Sequence, residues 1–366
     1  MGLDYPLPRG AFWGCCPWKL GARWRILWYM KTSELRFAVC WALPLSVTVA
    51  VLTSPLAGFL TSVSIFAGLA LCDLLVRDSP APVEPSAWHQ WVLRLYVPLH
   101  LGLIGAGLWA AASANAWGVV GLAYAVGFIT GGQGITFAHE LGHSKSRVDR
   151  ALGWVLMTSV CYGHFMVEHY RGHHPKAASL DDPASARYGE SLWRFLPRTY
   201  IGSFQSAWQL EAQRLVQMKR SWWQSPLAWS YASKLLFAGV LIALAAPTLI
   251  AFWLLQSLYA TWLLETVNYI EHYGLNRQTI DGKREPFGKM HAWNANHLAN
   301  NAVLVNLQRH SDHHMHAWKP FPTLQAMPDA PQLPTGYAGC IFLATVPPVW
   351  FRVMHPRLKA LQAQVV

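Results

Sequence analysis

Charge is what this chain has least of: Asp, Glu, Lys and Arg supply 13% of its 366 residues, against about 25% in ordinary soluble domains. That deficit excludes a typical water-soluble globule and points to a bilayer. Acid is scarcer than base, 18 residues against 29, for a formal net charge of +11. The excess does not point to nucleic acid, because no compact basic stripe with a reader motif is present. Cysteine is scarce as well. The six cysteines (Cys15, Cys16, Cys40, Cys72, Cys161, Cys340) form no CxxC pair and no disulfide framework, so they read as ordinary apolar residues beside a reducing compartment. Internal repeats and low-complexity tracts are missing. Residues 1–36 lack a clean apolar core with a small-residue cleavage site, so no signal peptide is expected.

Apolar residues are plentiful, at 53%, with 20 tryptophans. Runs of near-spanning length occur at about 38–54, 59–76, 94–112, 117–137, 235–247 and 248–266; a span takes about 20 residues. Pro247 between the last two reads as a tight turn or a kink. A further apolar stretch, 338–351, is too short, carries Pro347–Pro348 and reads as buried or interfacial. The expected fold is all-α: a six-helix transmembrane bundle with a cytoplasmic helical cap carrying a histidine-rich dimetal site. Residues 1–36 form an N-terminal extension, in which 18–31 suit an interfacial helix or a basic tail that enforces topology. Residues 37–366 form a single membrane domain with cytoplasmic segments 139–234 and 267–366. With a cytoplasmic N-terminus, the outward turns near 55–58, 113–116 and 245–248 contain no charged residue, as the positive-inside rule requires. Arg9, Lys19, Arg23, Arg25, Lys31 and Arg36 then precede the first span on the cytoplasmic side.

Four histidine clusters fall on that same side: HELGH (139–143), HYRGHH (169–174), NYIEHYG (268–274) and QRHSDHH (308–314). Neutral imidazole suits iron, copper or zinc better than magnesium or calcium. On a helix, residues four apart share a face. His139 and His143 can therefore hold one ion, as can His169 and His173, with His174 turned about 100° further round toward a second ion. His310, His313 and His314 repeat the arrangement, and His272 adds a ninth imidazole. Nine ligands exceed the four to six or so that one metal takes, so the expectation is a binuclear site. Each cluster also carries an acid: Glu140, Glu168, Glu271 and Asp312. These can orient an imidazole by accepting its second N–H, or bridge or bind metal directly. HELGH alone matches the zinc-protease signature, but a protease needs one zinc and one further ligand. A metal transporter would spread its ligands along a membrane path, whereas these clusters gather on one side. His164, His291, His297 and His316 flank the clusters and suit hydrogen-bonding roles.

HELGHS, EHYRGHH, NYIEHYGL and LQRHSDHH, in this order among six spans, resemble the integral-membrane alkane 1-monooxygenases, within the histidine-box superfamily of membrane desaturases and hydroxylases. The resemblance runs over about residues 40–358 and includes HAWNANH (291–297) and TVPPVWFRVMHPRL (345–358). It implies a non-haem diiron enzyme of a bacterial inner membrane. Such an enzyme uses O2 to convert medium- to long-chain n-alkanes to 1-alkanols, with two iron ions on His139, His143, His169, His173, His174, His272, His310, His313 and His314. It also implies electrons from a rubredoxin, reduced by an NADH-dependent rubredoxin reductase. The chain has neither rubredoxin cysteine pairs nor a dinucleotide fingerprint, so both partners are separate proteins. Xylene-type monooxygenases, fatty-acid hydroxylases and desaturases are the alternative readings. Arg171, Arg187, Arg194 and Arg198 are candidates to dock an acidic rubredoxin. Ile65 and Leu69, with Phe66 and the small residues Ala67, Gly68 and Ala70, are candidates to line a substrate channel; lipid-facing positions are the other reading.

Overall fold

The computed structural model describes residues 35–76 and 78–363. The proposed extension, including the 18–31 helix, lies almost wholly outside them. Six described helices are long and apolar enough to cross a membrane: α1 (Arg36–Thr53), α2 (Pro55–Leu75), α3 (Ala87–Ala111), α4 (Ala116–His143), and, after two cap helices and a long amphipathic one, α8 (Pro226–Ala243) and α9 (Pro247–His272). The intervening helices are α5 (Arg147–Ser159), α6 (residues 165–176) and α7 (Leu192–Gln217). Beyond α9 come a two-residue hairpin, β1 (Thr279–Ile280) and β2 (Lys283–Arg284), then α10 (Leu298–Val303), α11 (His310–Met315), α12 (Tyr337–Thr345) and α13 (Pro347–Ala363). This is an all-α, multi-pass membrane protein.

The helix starts are written in short polar words. Ser54 accepts from Ala57 N (3.0 Å) with Pro55 at the first helical position, and Asn115 accepts from Gly118 N (2.9 Å). Side-chain caps of this kind satisfy backbone donors that the helix leaves open. Two of the sequence-derived bounds move for this reason. The third span begins at Ala87 rather than 94, because Ser86 and His89 close a capping box at its start. The fifth begins at Pro226 rather than 235, because Ser225 caps it with Pro226 next in line. It ends at Ala243, and Pro247 opens α9, so Pro247 marks a turn and not a kink.

α4 is the central helix. In its spanning window 72% of residues are buried, against 22% in α2 and in α8. The peripheral helices turn Val49, Leu56, Leu74, Leu235, Leu236 and Ile242 outward, as lipid-facing surfaces do. α4 and α9 approach closely because Gly127 and Gly131 oppose the Gln256 and Ala260 backbone, where a Cβ would sit 2.8 and 2.7 Å from their carbonyl oxygens. Small residues at membrane helix contacts permit such approach. The 338–351 stretch is split by Pro347: α12 buries Cys340 and Ile341, and α13 follows. The loop after α2 is tied to the cap by Ser79 N donating to Asn296 O (2.9 Å) and by Arg309 Nη2 donating to Pro80 O (2.7 Å).

Candidate metal centre

All nine predicted histidines converge, and they divide into five and four. His139, His143, His169, His174 and His313 form one group; His173, His272, His310 and His314 form the other. Within each group the imidazole nitrogens lie within 4.8 Å of one another. The last turn of α4 supplies His139 and His143 at helical spacing, α9 ends on His272, and α11 places His310 and His314 on one face with His313 on the other.

α6 corrects the sequence reading. His169 pairs with His174, and His173 joins the other group. The cause is a π-turn over His169–His173, in which the N–H of His174 bonds the carbonyl of His169. In that wider turn residues five apart share a face, so the simple four-residue rule fails; π-bulges of this kind recur at functional sites.

The electrostatics favour a bound cation. Burial, followed by repulsion from neighbouring imidazoles, holds His169, His174, His310, His313 and His314 well below the ordinary histidine range, so they are neutral lone-pair donors at pH 7. Their nitrogens face each other: His139 Nε2 and His313 Nε2 are 3.0 Å apart, His174 Nε2 lies 3.0 Å from His169 Nε2 and 3.2 Å from His143 Nε2, and His310 Nε2 lies 3.2 Å from His272 Nε2. One proton at most can be shared by each such contact. His173 Nε2 and both ring nitrogens of His314 are buried without a hydrogen-bond partner. A buried unpaired polar atom costs about 1–3 kcal/mol. A metal ion in each group would satisfy these atoms together, so the residues fit a histidine-rich metal site.

Carboxylates complete the surroundings, though not as a one-per-cluster rule. Glu271 Oε1 lies 3.2 Å from His310 Nδ1 and accepts from the Tyr337 hydroxyl at 2.6 Å. Glu168 is buried, with one oxygen unpartnered; burial and then nearby Asp182 push it up to about 8. Glu140 instead accepts from Phe321 N (3.0 Å). Asp312 is turned away from the imidazole groups, to Lys319 Nζ and His316 Nδ1 (2.8 Å each) and Gln325 N (2.9 Å), and so fastens the α11 turn. The residue that the sequence reading missed is Asp182. Its Oδ2 lies 2.9 Å from His173 Nδ1. Burial pulls His173 down, but the Asp182 carboxylate outweighs it and lifts the imidazole to about 9. His272 Nδ1 reaches the His291 carbonyl at 3.2 Å. The flanking His164 pairs with Tyr231, His291 with Glu285 and His316 with Asp312; neither they nor His297 joins a group.

A narrow apolar cavity of about 80 Å³ ends on this centre. His139, His169, His310 and Glu271 stand on its wall with Leu43, Phe66, Leu69, Phe128, Leu263 and Ile341. Leu69 and Phe66 therefore face it; Ile65, Ala67, Gly68 and Ala70 do not. Of the candidate docking arginines, Arg198 is committed to Glu190 (2.8 Å) and to the Pro183 and Ser185 carbonyls, and Arg171 pairs with Glu211 (3.0 Å). Arg187 and Arg194 are exposed.

Comparison with known proteins agrees with this architecture. The fatty acid desaturase family model matches residues 115–344, which contain every residue of both imidazole groups. Alkane 1-monooxygenase 2 of Pseudomonas aeruginosa is 39% identical over 82% of this chain and 83% of its own length, and alkane 1-monooxygenase 1 of the same organism is 40% identical over the same shares. The xylene/toluene monooxygenase hydroxylase component of Pseudomonas putida is 26% identical over 80% of this chain and 81% of its own length. With identity at that level across four fifths of its length, and with the histidine groups inside the matched region, the chain belongs to the alkane 1-monooxygenase family.

Proposed function

We propose that this chain is a membrane terminal hydroxylase, which inserts one oxygen atom of O2 into the terminal C–H bond of medium- to long-chain n-alkanes and releases 1-alkanols. The observation that carries the reading is a juxtaposition: two groups of imidazoles, most of them buried, meet the end of a narrow cavity walled by apolar side chains. An alkane offers no polar handle, so only the shape and dryness of such a cavity can select it. Its walls gain by burying the chain and exclude water from the reacting end.

Two non-haem iron ions suit the donors, one on His139, His143, His169, His174 and His313, the other on His173, His272, His310 and His314. When bound, iron supplies the redox chemistry of O2 activation that redox-inert zinc lacks. The protein's share is orientation: Asp182 holds His173 through its second ring nitrogen, and Glu271 stands 3.2 Å from the second ring nitrogen of His310. One alkane, one O2, two electrons and two protons give one alkanol and one water. The electrons are assigned to a rubredoxin served by an NADH-dependent rubredoxin reductase. Residues 37–366 act as one domain in a bacterial inner membrane, with both termini and the metal site cytoplasmic; the uncharged opposite turns support that orientation.

The test is metal content and product formation by the detergent-purified protein with rubredoxin, its reductase, NADH and octane or hexadecane. About two irons per chain, with 1-alkanol formed only when every component is present, are expected. One zinc and no NADH-dependent product would refute the reading. The identity to the xylene/toluene enzyme component favours an aryl-methyl substrate as the second reading; preferential oxidation of xylene over every alkane would establish it instead.

A further inference from the structure

A second cavity, of about 330 Å³, opens on the cap surface beside the five-histidine group. Four guanidiniums line it (Arg150, Arg171, Arg214 and Arg220) against one carboxylate, Glu211. That carboxylate is already spent on Arg171 (3.0 Å) and Arg214 (2.6 Å). Arg150 reaches only neutral carbonyls, those of Ser144 and Lys145. Among the described residues, Arg220 has no partner for its guanidinium. The cavity therefore presents uncompensated positive charge to whatever approaches it, and charge complementarity selects an anionic visitor.

On the side toward the metal centre this cavity is lined by Gly142 and Tyr170. The Tyr170 ring stands edge-on to two imidazoles of the group, 4.6 Å from His143 and 5.1 Å from His169 between ring centroids. Its hydroxyl donates to the His139 carbonyl at 2.9 Å. The ring can come this close because residue 142 is glycine; a Cβ there would collide with the Tyr170 hydroxyl. One aromatic side chain thus touches the arginine-lined cavity on one side and the imidazoles on the other. The apolar cavity also reaches the imidazoles, but no arginine or lysine lines it. None of Arg187, Arg194 and Arg198 lines the arginine cavity.

We propose that this cavity is the electron-entry port. A small acidic one-electron carrier protein docks over Arg150, Arg171, Arg214 and Arg220, and Tyr170 couples its redox centre to His143 and His169. Each docking oxidises the carrier by one electron and would reduce the two-ion centre by one. The electron enters through the ion held by the five-histidine group, and the pair of ions shares the two electrons of two dockings. No covalent bond forms or breaks, and Tyr170 keeps its proton. Two such events supply the two electrons of a turnover. The inference rests on the monooxygenase reading and specifies where its reductant acts. An anionic lipid headgroup would favour the same guanidiniums, but it gives no reason for an aromatic ring packed between cavity and imidazoles.

The test uses the full-length protein in detergent, with rubredoxin as probe. Docking is measured on metal-free protein, and carrier oxidation by stopped-flow absorbance on metal-loaded protein. Arg220→Glu should weaken docking about tenfold at low ionic strength and flatten its salt dependence. Arg220→Lys should restore most of it, and Arg187→Glu should change nothing. Tyr170→Leu should leave docking intact and slow oxidation of the bound carrier at least about tenfold, while Tyr170→Phe stays near the parent rate. Reduction by dithionite, which needs no port, should be equal in all variants and so reports an intact centre. Unchanged docking in Arg220→Glu, or equal electron-transfer rates in Tyr170→Leu and Tyr170→Phe, would overturn the proposal. So would loss of bound phosphatidylglycerol from Arg220→Glu with carrier docking unaffected, which would assign the cavity to a lipid. If the parent protein accepts electrons from dithionite but from no rubredoxin, the carrier assignment under the proposed function fails instead.

Discussion

His173 and Asp182 stand nine positions apart in the sequence, yet their Nδ1 and Oδ2 atoms lie 2.9 Å apart. Outer partners of this kind fix an imidazole's tautomer and raise its basicity, and removing one weakens metal binding about 10- to 100-fold. Asp182→Asn should therefore lower affinity in the four-histidine group by that factor and leave the five-histidine group loaded. Metal titration against a competing chelator checks this; equal loss from both groups would reject it. The histidines were legible from sequence because helical spacing announces them. Their carboxylates were legible only in part: Glu271, a candidate from sequence, stands 3.2 Å from His310 Nδ1, but Asp182 comes from a loop whose path no periodicity records, while Glu140 and Asp312 serve backbone and cap contacts. Glu211 shows the same blindness at a structural position. Burial raises its carboxyl, but Arg214, Ser225 and Arg171 outweigh this and hold it below the ordinary glutamate range. The folded-state pKa is thus depressed, so its contribution is present above the unfolded value of about 4.3 and lost as pH falls through the folded one. Glu211→Gln should lower the thermal midpoint at pH 7 and should shrink the parent's loss of stability on acidification below about pH 4.

Elements set the larger distances. α4 carries His139 and His143, α9 carries His272, and the two helices meet where Gly131 faces the Ala260 backbone. A Cβ on residue 131 would lie 2.7 Å from the Ala260 carbonyl oxygen, a contact that only backbone movement relieves. Gly131→Ala should cost about 1–3 kcal/mol, in line with other overpacked contacts, and should loosen metal retention by shifting His139 against His272. Gly132→Ala is the internal comparison, since a Cβ there meets open space. Thermal denaturation in detergent with metal analysis should separate the two; equal behaviour would remove the helix contact from the account. The six spans were readable from apolar run length, and their displaced starts came from capping residues that hydropathy does not weigh. The π-turn was not readable, because nothing in HYRGHH distinguishes five-residue from four-residue pairing until the rest of the site is present. Only the other imidazoles, converging from α4 and α11, give the wider turn its use.

At the scale of the whole molecule, the outward faces of the peripheral helices are apolar, and the innermost helix runs from the bundle into the metal centre. An alkane partitions into such surroundings before it meets the site, so discrimination falls to the cavity between bundle and cap. α2 supplies that wall at positions 66 and 69, and the same face continues to Ser62 and to Asp73, which accepts from Asn300 in α10. The inward stripe is thus 62, 66, 69 and 73, a helical repeat that leaves Ile65 off the wall. The sequence offered both residues as candidates because an apolar helix gives no amphipathic signal to choose a face; packing against α1, α4 and α12 makes the choice. Leu69→Trp should fill the cavity and shift the preferred substrate toward shorter alkanes, while Phe66→Ala should open it and favour longer ones. Ile65→Trp, pointing elsewhere, should leave the product distribution where it was. Gas chromatography of 1-alkanols formed from an equimolar series between octane and hexadecane reads all three variants at once. A shift with Ile65→Trp and none with Leu69→Trp would mean that the alkane takes a different route, and the cavity walled by Phe66 and Leu69 would lose its claim as the substrate path.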